Sequence, residues 1–300
     1  MAKLDPQHVH IAAQPINWIN DDFLDLGDKI SLDRCLTEMR QAGYEGTELG
    51  HRFPAGGQAI AAQLWRFGLK LASGWHSTYL ASQPYDDEEK RFVAHAEKLK
   101  LAGASVVIVA ECTGAIHSDG HSALQWPSAR LAGAQWEQMA QGLDKLAHKA
   151  ASMGMKTAYH EHMGTAVQDA ADVDKLMSAT RELGLLVDTG HLTFAGADPL
   201  AVLAKHRARV AHVHLKNVRK SVVDEAKKSA WTFERAVRAG AFTVPGDVDG
   251  AVDFGPILDL LASSDYRGWL VVEAEQDPSK ADPLAYAKTA REFLRAHAGV

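Results

Sequence analysis

The chain has 300 residues, 46% hydrophobic and 23% charged, which are values of a globular protein and exclude a disordered or fibrous one. Its 32 Lys+Arg against 38 Asp+Glu give a formal net charge of −6, which disfavours a phosphate-backbone binder. Two cysteines exclude a disulfide scaffold or a cysteine-rich zinc module, so any metal would be held by carboxylates and by some of the 15 His.

In chain order, residues 8–14 read as a first strand, followed by a helix over 31–43 with Ser31 as N-cap and Gly43 as stop. Residues 46–50 give the second strand, 58–67 a helix, 70–76 the third strand, and 86–102 a helix rich in Ala, Lys and Glu. The run ASVVIVAEC, 104–112, is continuously apolar and β-branched, which implies burial on both faces as in a parallel sheet. A helix over 135–153 leads to a fifth strand at 156–162, and a helix over 170–182 to a sixth at 185–191. A helix over 199–206 leads to a seventh strand at 209–216. Residues 217–253 interrupt the rhythm and carry a helical piece over 222–238. A helix near 256–263, a strand at 269–275 and a helix over 283–296 complete the chain.

Eight strand-then-helix units predict a single α/β domain over 1–300, a (β/α)8 TIM barrel with an elaborated loop after strand seven. The competing doubly wound sheet would carry a Gly-rich phosphate loop after its first strand, and Gln14-Pro15-Ile16-Asn17-Trp18 is not one. The N-terminal segment lacks the apolar core of a secretory signal, and no apolar run is long enough for a membrane span. Cys35 and Cys112 read as reduced and structural, and a cytoplasmic location is expected.

In a TIM barrel the chemistry collects at the C-terminal strand ends. Most of the histidines need no special role: His95, His148, His206 and His297 fall on helices, and His117 and His121 in a loop. The strand ends, however, carry Glu48, His76, His160-Glu161-His162, Asp188-Thr189-Gly190-His191, His212-Val213-His214-Leu215-Lys216 and Glu273-Ala274-Glu275. Strand alternation puts His160 and His162 on one face with Glu161 opposite, His212, His214 and Lys216 on one face, and Glu273 with Glu275. Burying such a set unpaired is costly. A shared divalent cation removes the cost, and mixed N and O ligation suits Mn, Co, Fe or Zn better than Ca.

The segments NWINDD (17–22), GYEGTELGHRFP (43–54), YHEHMGT (159–165), VDTGHLTFAGADP (187–199), HVHLKNVR (212–219), AGAFTVPGDVDGAVDF (239–254) and YRGWLVVEAEQDP (266–278) cover nearly the whole chain. Together they resemble the xylose-isomerase-like TIM superfamily of sugar isomerases and epimerases, and within it the inosose dehydratases. The resemblance implies Asp188, His214 and Glu273 as metal ligands. For the fourth, His160 stands where epimerases of the superfamily have a Glu, and the alternatives are that it replaces that carboxylate or that the metal has three protein ligands and more water. The resemblance also implies a divalent metal, Mn or Co ahead of Fe or Zn, and dehydration of 2-keto-myo-inositol to a trihydroxycyclohexane-1,2-dione through an enediolate.

For the proton transfers His191, Lys216 and His162 are the favoured catalytic candidates, and Glu48, His76, Trp18, Arg219 and Glu275 the candidates for holding substrate. Lys216 reads equally as an ion-pair partner of a strand-eight Glu, and Trp18 and Trp75 equally as barrel packing. The loop 217–253 is expected to close over substrate. The expected partner is a small polyol ketone, with no nucleic acid and no membrane, and a homo-oligomer is compatible with the sequence. Competing readings are a metal-dependent ketose epimerase or isomerase, an abasic-site endonuclease and a non-catalytic sugar-binding barrel.

Overall fold

The β-branched run of the fourth unit forms Val106–Glu111, every residue of which is buried, and seven like strands join it side by side. The computed structural model describes residues 3–121, 123–124, 131–264 and 266–300. Its strands are β1 Val9–Ala13, β2 Gly46–Leu49, β3 Lys70–Thr78, β4 Val106–Glu111, β5 Lys156–His160, β6 Gly184–Asp188, β7 Val210–Leu215, β8 Asn217–Val218, β9 Phe242–Thr243 and β10 Gly268–Val272. The α-helices are α1 Leu32–Ala42, α2 Gly57–Phe67, α3 Tyr85–Leu101, α4 Gly133–Ser152, α5 Ala170–Ala179, α6 Thr189–Ala195, α7 Pro199–His206, α8 Lys220–Lys228, α9 Phe233–Arg238, α10 Phe254–Ala262 and α11 Pro283–Ala298. The eight long strands close in the order β1-β10-β7-β6-β5-β4-β3-β2, all parallel, while β8 and β9 pair as a separate antiparallel ribbon. This is the expected (β/α)8 barrel.

Side chains pointing outward from the strands pack with the helices into one large core. The barrel interior holds two smaller apolar clusters, Val106, Ile108, Ala158, Leu186 and Ala211 against Trp75, and Ala12, Ala72, Trp269 and Val271. Above these plugs the inward positions turn polar: Glu48, Ser73, His160, Asp188, His212 and His214 are all buried. Local signals fix the helices as expected. Ser31 Oγ accepts from Arg34 N to start α1, and Gly43 at φ 92° ends it. None of the described helices is long and apolar enough to cross a membrane.

Several boundaries differ from expectation. Strands five, six and eight stop at His160, Asp188 and Val272, two to three residues early. After Asp188 the chain turns at once into α6, because the Asp188 carboxylate accepts from Gly190 N and His191 N and caps the helix. The helical piece over 222–238 is two helices, since Ala230 takes φ 49° and Thr232 starts α9 by accepting from Arg235 N.

Candidate metal centre and active site

Four elements bring His160, Asp188, His214 and Glu273 together, with one ligand atom of each lying within 4.8 Å of the others. His160 ends β5, Asp188 ends β6, His214 lies in β7, and Glu273 directly follows β10. All four are buried. His160 Nε2 is 3.6 Å and His214 Nδ1 3.5 Å from Asp188 Oδ2, and His214 Nδ1 is 2.9 Å from Glu273 Oε2.

The surroundings aim these atoms. The His160 Nδ1 proton goes to the backbone oxygen of Glu161 at 2.5 Å, leaving Nε2 as a lone pair. The His214 Nε2 proton goes to Glu48 Oε1 at 3.1 Å, which turns Nδ1 toward Asp188 and Glu273. Glu48 Oε1 also accepts from His212 Nε2 at 2.7 Å and from Ser73 Oγ. Asp188 divides its work, with Oδ1 capping α6 at 2.8 Å from two backbone N–H groups and Oδ2 facing the cluster.

Buried Asp188 Oδ2 and His214 Nδ1 have no well-aligned hydrogen bond, only the ion pairs of Oδ2 with Lys216 at 3.2 Å and of Nδ1 with Glu273 at 2.9 Å. Poorly aligned ligand atoms converging on one buried point are costly unless a cation sits among them. Two imidazole and two carboxylate donors suit a divalent transition metal. The residues present therefore fit the metal that the sequence implies. Burial opposes the imidazolium of His214, but Glu273 and Glu48 outweigh it and hold the ring well above its ordinary pKa, so a metal binding at Nδ1 would displace a proton. Burial and the neighbouring His214 keep His160 neutral, as a ligand must be.

Beside the cluster, Lys216 Nζ contacts Glu273 at 2.6 Å, Glu275 at 2.9 Å and Asp188 Oδ2 at 3.2 Å. Burial disfavours its charge, but the three carboxylates more than restore it. Glu275 is in turn drawn down to about 2 against its own burial by Lys216 and His191. The cluster opens on a cavity of about 230 Å³ bordered by Glu48, Trp75, His160, His162, His214, Glu273 and Glu275.

The structure separates the remaining sequence candidates. His162 lines the cavity; its Nδ1 proton goes to the Met163 oxygen, so Nε2 is a free acceptor 3.9 Å from Glu275. Lys216 does not border the cavity, and its ammonium is taken up by three carboxylates, which is the ion-pair alternative. His191 stands in the first turn of α6 rather than on a strand end. Both its nitrogens are engaged, Nε2 with Glu275 at 3.1 Å and Nδ1 accepting from Met163 N, so it orients Glu275 rather than meeting substrate.

Three substrate candidates are not brought to the site. His76 points away from the barrel axis, because strand alternation turns Ser73, Trp75 and Ser77 inward; it pairs with Glu88 on α3 at 2.8 Å. Trp18 is fully buried and donates Nε1–H to Glu38 on α1. Arg219 holds the β8–β9 ribbon together through Gly240 and Phe242 oxygens and Asp247. Sequence reasoning missed Gln14, Asp21, Asp22, Ser77 and His117, all of which line the cavity. Asp22 closes the NWINDD segment, a usable signal, whereas His117 stands in an irregular loop after β4 and carries none.

Closed barrel, convergent strand-end side chains that could hold a metal, and apical cavity define a barrel of the enzyme type. Residues 36–297 match the family model described as xylose isomerase-like TIM barrel. Among curated relatives, an inosose dehydratase of Clostridium botulinum (strain Alaska E43 / Type E3) is 42% identical over 294 residues, 97% of this chain and 98% of that one. An inosose dehydratase of Clostridium perfringens (strain 13 / Type A) is 42% identical over 290 residues, 96% of this chain and 97% of that one. Among solved structures, an IOLI protein with a binding zinc atom superposes with a TM-score of 0.68 at 13% identity, covering 97% of this chain and 98% of that chain. The chain belongs to the xylose isomerase-like TIM-barrel family and, within it, to the inosose dehydratases.

Proposed function

We propose that this protein removes water from 2-keto-myo-inositol, giving a trihydroxycyclohexane-1,2-dione, with a divalent metal held by His160, Asp188, His214 and Glu273. The observation that carries the reading is the convergence of these four ligand atoms, two of them without an aligned hydrogen bond, under a cavity of about 230 Å³. The near full-length identity to inosose dehydratases supports the substrate. Manganese or cobalt is the metal we favour, because two imidazoles and two carboxylates suit both.

When bound, the cation would polarise the substrate ketone and a neighbouring hydroxyl and spread the negative charge that grows as the α-proton leaves. The protein's own residues supply the rest. His162 takes the α-proton: its Nε2 lone pair faces the cavity, and burial together with His191 keeps the ring neutral. Glu48, held ionised by His214 and His212 against its burial, accepts hydrogen bonds from substrate hydroxyls on the β2 side. Trp75 meets His160 and His162 edge-on at 5.6 and 5.8 Å and walls the cavity. Both cysteines are free and buried, in keeping with the reducing cytoplasm we assign.

The test is dehydration of 2-keto-myo-inositol by metal-reconstituted wild type and by Asp188→Asn, followed by ultraviolet absorbance of the dione. Asp188→Asn retains the cap of α6 and is expected to lose turnover by at least ~10²-fold. Equal turnover by both would sink the metal centre.

A further inference from the structure

Expelling hydroxide at neutral pH needs a proton on the departing oxygen. Lys216 does not border the cavity and is engaged by three carboxylates. Asp22 and His117 do border it, and the metal chemistry uses neither. The connection after β1 is folded to present Asp22: Asn20 Oδ1 accepts from Asp22 N at 2.8 Å and from Phe23 N at 2.7 Å, an Asx turn.

His117 Nε2 lies 3.9 Å from Asp22 Oδ1. Its loop is pinned to the loop after β5 by Ile116 N donating to Gly164 O at 2.8 Å. Only glycine allows this approach, since Gly164 has φ +73° and a Cβ there would come within 2.9 Å of His117 N. The His117 ring meets His162 edge-on, with centroids 5.0 Å apart. His117 thus neighbours both Asp22 and the base.

We propose that Asp22, with His117 beside it in the cavity wall, is the proton donor to the departing β-hydroxyl. The assignment rests on the dehydratase reading. His162 takes the α-proton, and the electrons of that C–H bond form the new C=C bond. The β C–O bond breaks with its pair on oxygen, and that oxygen takes the Asp22 proton and leaves as water. The remaining enol tautomerises to the dione. Proton exchange with solvent returns Asp22 to the acid and His162 to the free imidazole.

The surroundings put the proton where this needs it. Burial, then Glu275 after β10 and the adjacent Asp21, push Asp22 up to about 7; Glu273 adds to this, and Lys216 after β7 opposes it. Burial, then His191 on α6, pulls His117 down to about 4. Near neutral pH the carboxyl, not the imidazole, is therefore the group of the two that carries a proton to give, the divergence expected of an acid and its neutral neighbour.

The experiment follows two substrates and two signals with the metal-reconstituted protein. Dehydration of 2-keto-myo-inositol is read by absorbance, and exchange of its α-hydrogen with D2O by NMR. A second inosose carries fluoride in place of the departing hydroxyl and needs no proton donor. Asp22→Asn is expected to lose dehydration by about 10²–10⁴-fold, yet to keep α-hydrogen exchange and fluoride expulsion within a few-fold of wild type. His117→Gln should keep exchange but shift the alkaline limb of kcat. Asp22→Asn that dehydrates like wild type overturns the proposal, and so does loss of exchange and fluoride expulsion together with dehydration. An unmoved alkaline limb in His117→Gln removes His117 from it. Failure of the dehydratase reading would look different: wild type itself would leave inosose intact.

Discussion

At the scale of single residues, the face a side chain occupies was readable and its occupation was not. Alternation put His160 and His162 together and set Glu161 apart. Glu161 does lie behind the site, where burial and Asp188 raise its carboxyl well above the usual range and it accepts from Asp188 N. Alternation could not show that His191 has both nitrogens engaged, nor that Lys216 is covered, because those facts depend on α6 and on the glutamates after β10. Asp22 escaped for a different reason: an Asx turn in a long connection aims it, and no strand or helix period reaches there. His76 gives a test of the corrected placement. It hydrogen-bonds the fully buried Glu88 outside the barrel, so His76→Gln should leave kcat within about two-fold. It should lower unfolding free energy by about 1–3 kcal/mol, the cost of a poorly satisfied buried acceptor, as read by urea titration. The donor assigned to Asp22 also predicts a pH profile. Its acid form is lost as pH rises through about 7, so wild-type kcat should fall above that pH. Asp22→Asn should abolish the limb.

At the scale of elements, the barrel rhythm was legible because eight apolar runs alternate with capped helices. The strand ends were legible only to within two or three residues. The reason is visible at β6. A strand of the pattern Leu-Leu-Val-Asp carries no stop of its own, and the break is made by the Asp188 carboxylate turning back onto α6. Asp188 is thus a helix cap and a metal-facing oxygen at once, and two substitutions separate these roles. Asp188→Ala should lose both, at a cost of about 0.5–2 kcal/mol in stability for the cap. Asp188→Asn should lose metal affinity with a smaller drop in Tm. Equal melting of the two variants in the presence of chelator would show that the cap contributes nothing. Gly190 belongs to the same device. A Cβ there would meet Lys216 Cγ at 2.4 Å, so the glycine of the Asp-Thr-Gly-His run is what lets the lysine stem pass into the barrel.

At the scale of the whole molecule, parallel strands deliver groups from β2, β5, β6, β7 and the end of β10 to one mouth, and the apolar plugs below give them a floor. The barrel class could be read from the sequence because it depends on strand order, and alternation put the polar residues at shared strand-end faces, whereas the four proposed ligands came from the family resemblance. The cavity wall could not be read, because it is built by the loops after β1 and β4. Lys216 has one more consequence. Its ammonium touches three carboxylates that would otherwise repel each other in a dry interior. The protein therefore carries a permanent counterion of its own and can finish folding before any metal arrives. Chelation should silence the enzyme while leaving a cooperative melt, with Tm climbing as free metal is restored. Lys216→Met should reverse that independence, losing about 3–5 kcal/mol without metal and recovering much of it when manganese is added. On this reading the metal is a late and exchangeable addition, and the pool of metal in the cell, rather than the folding pathway, decides how many barrels are active.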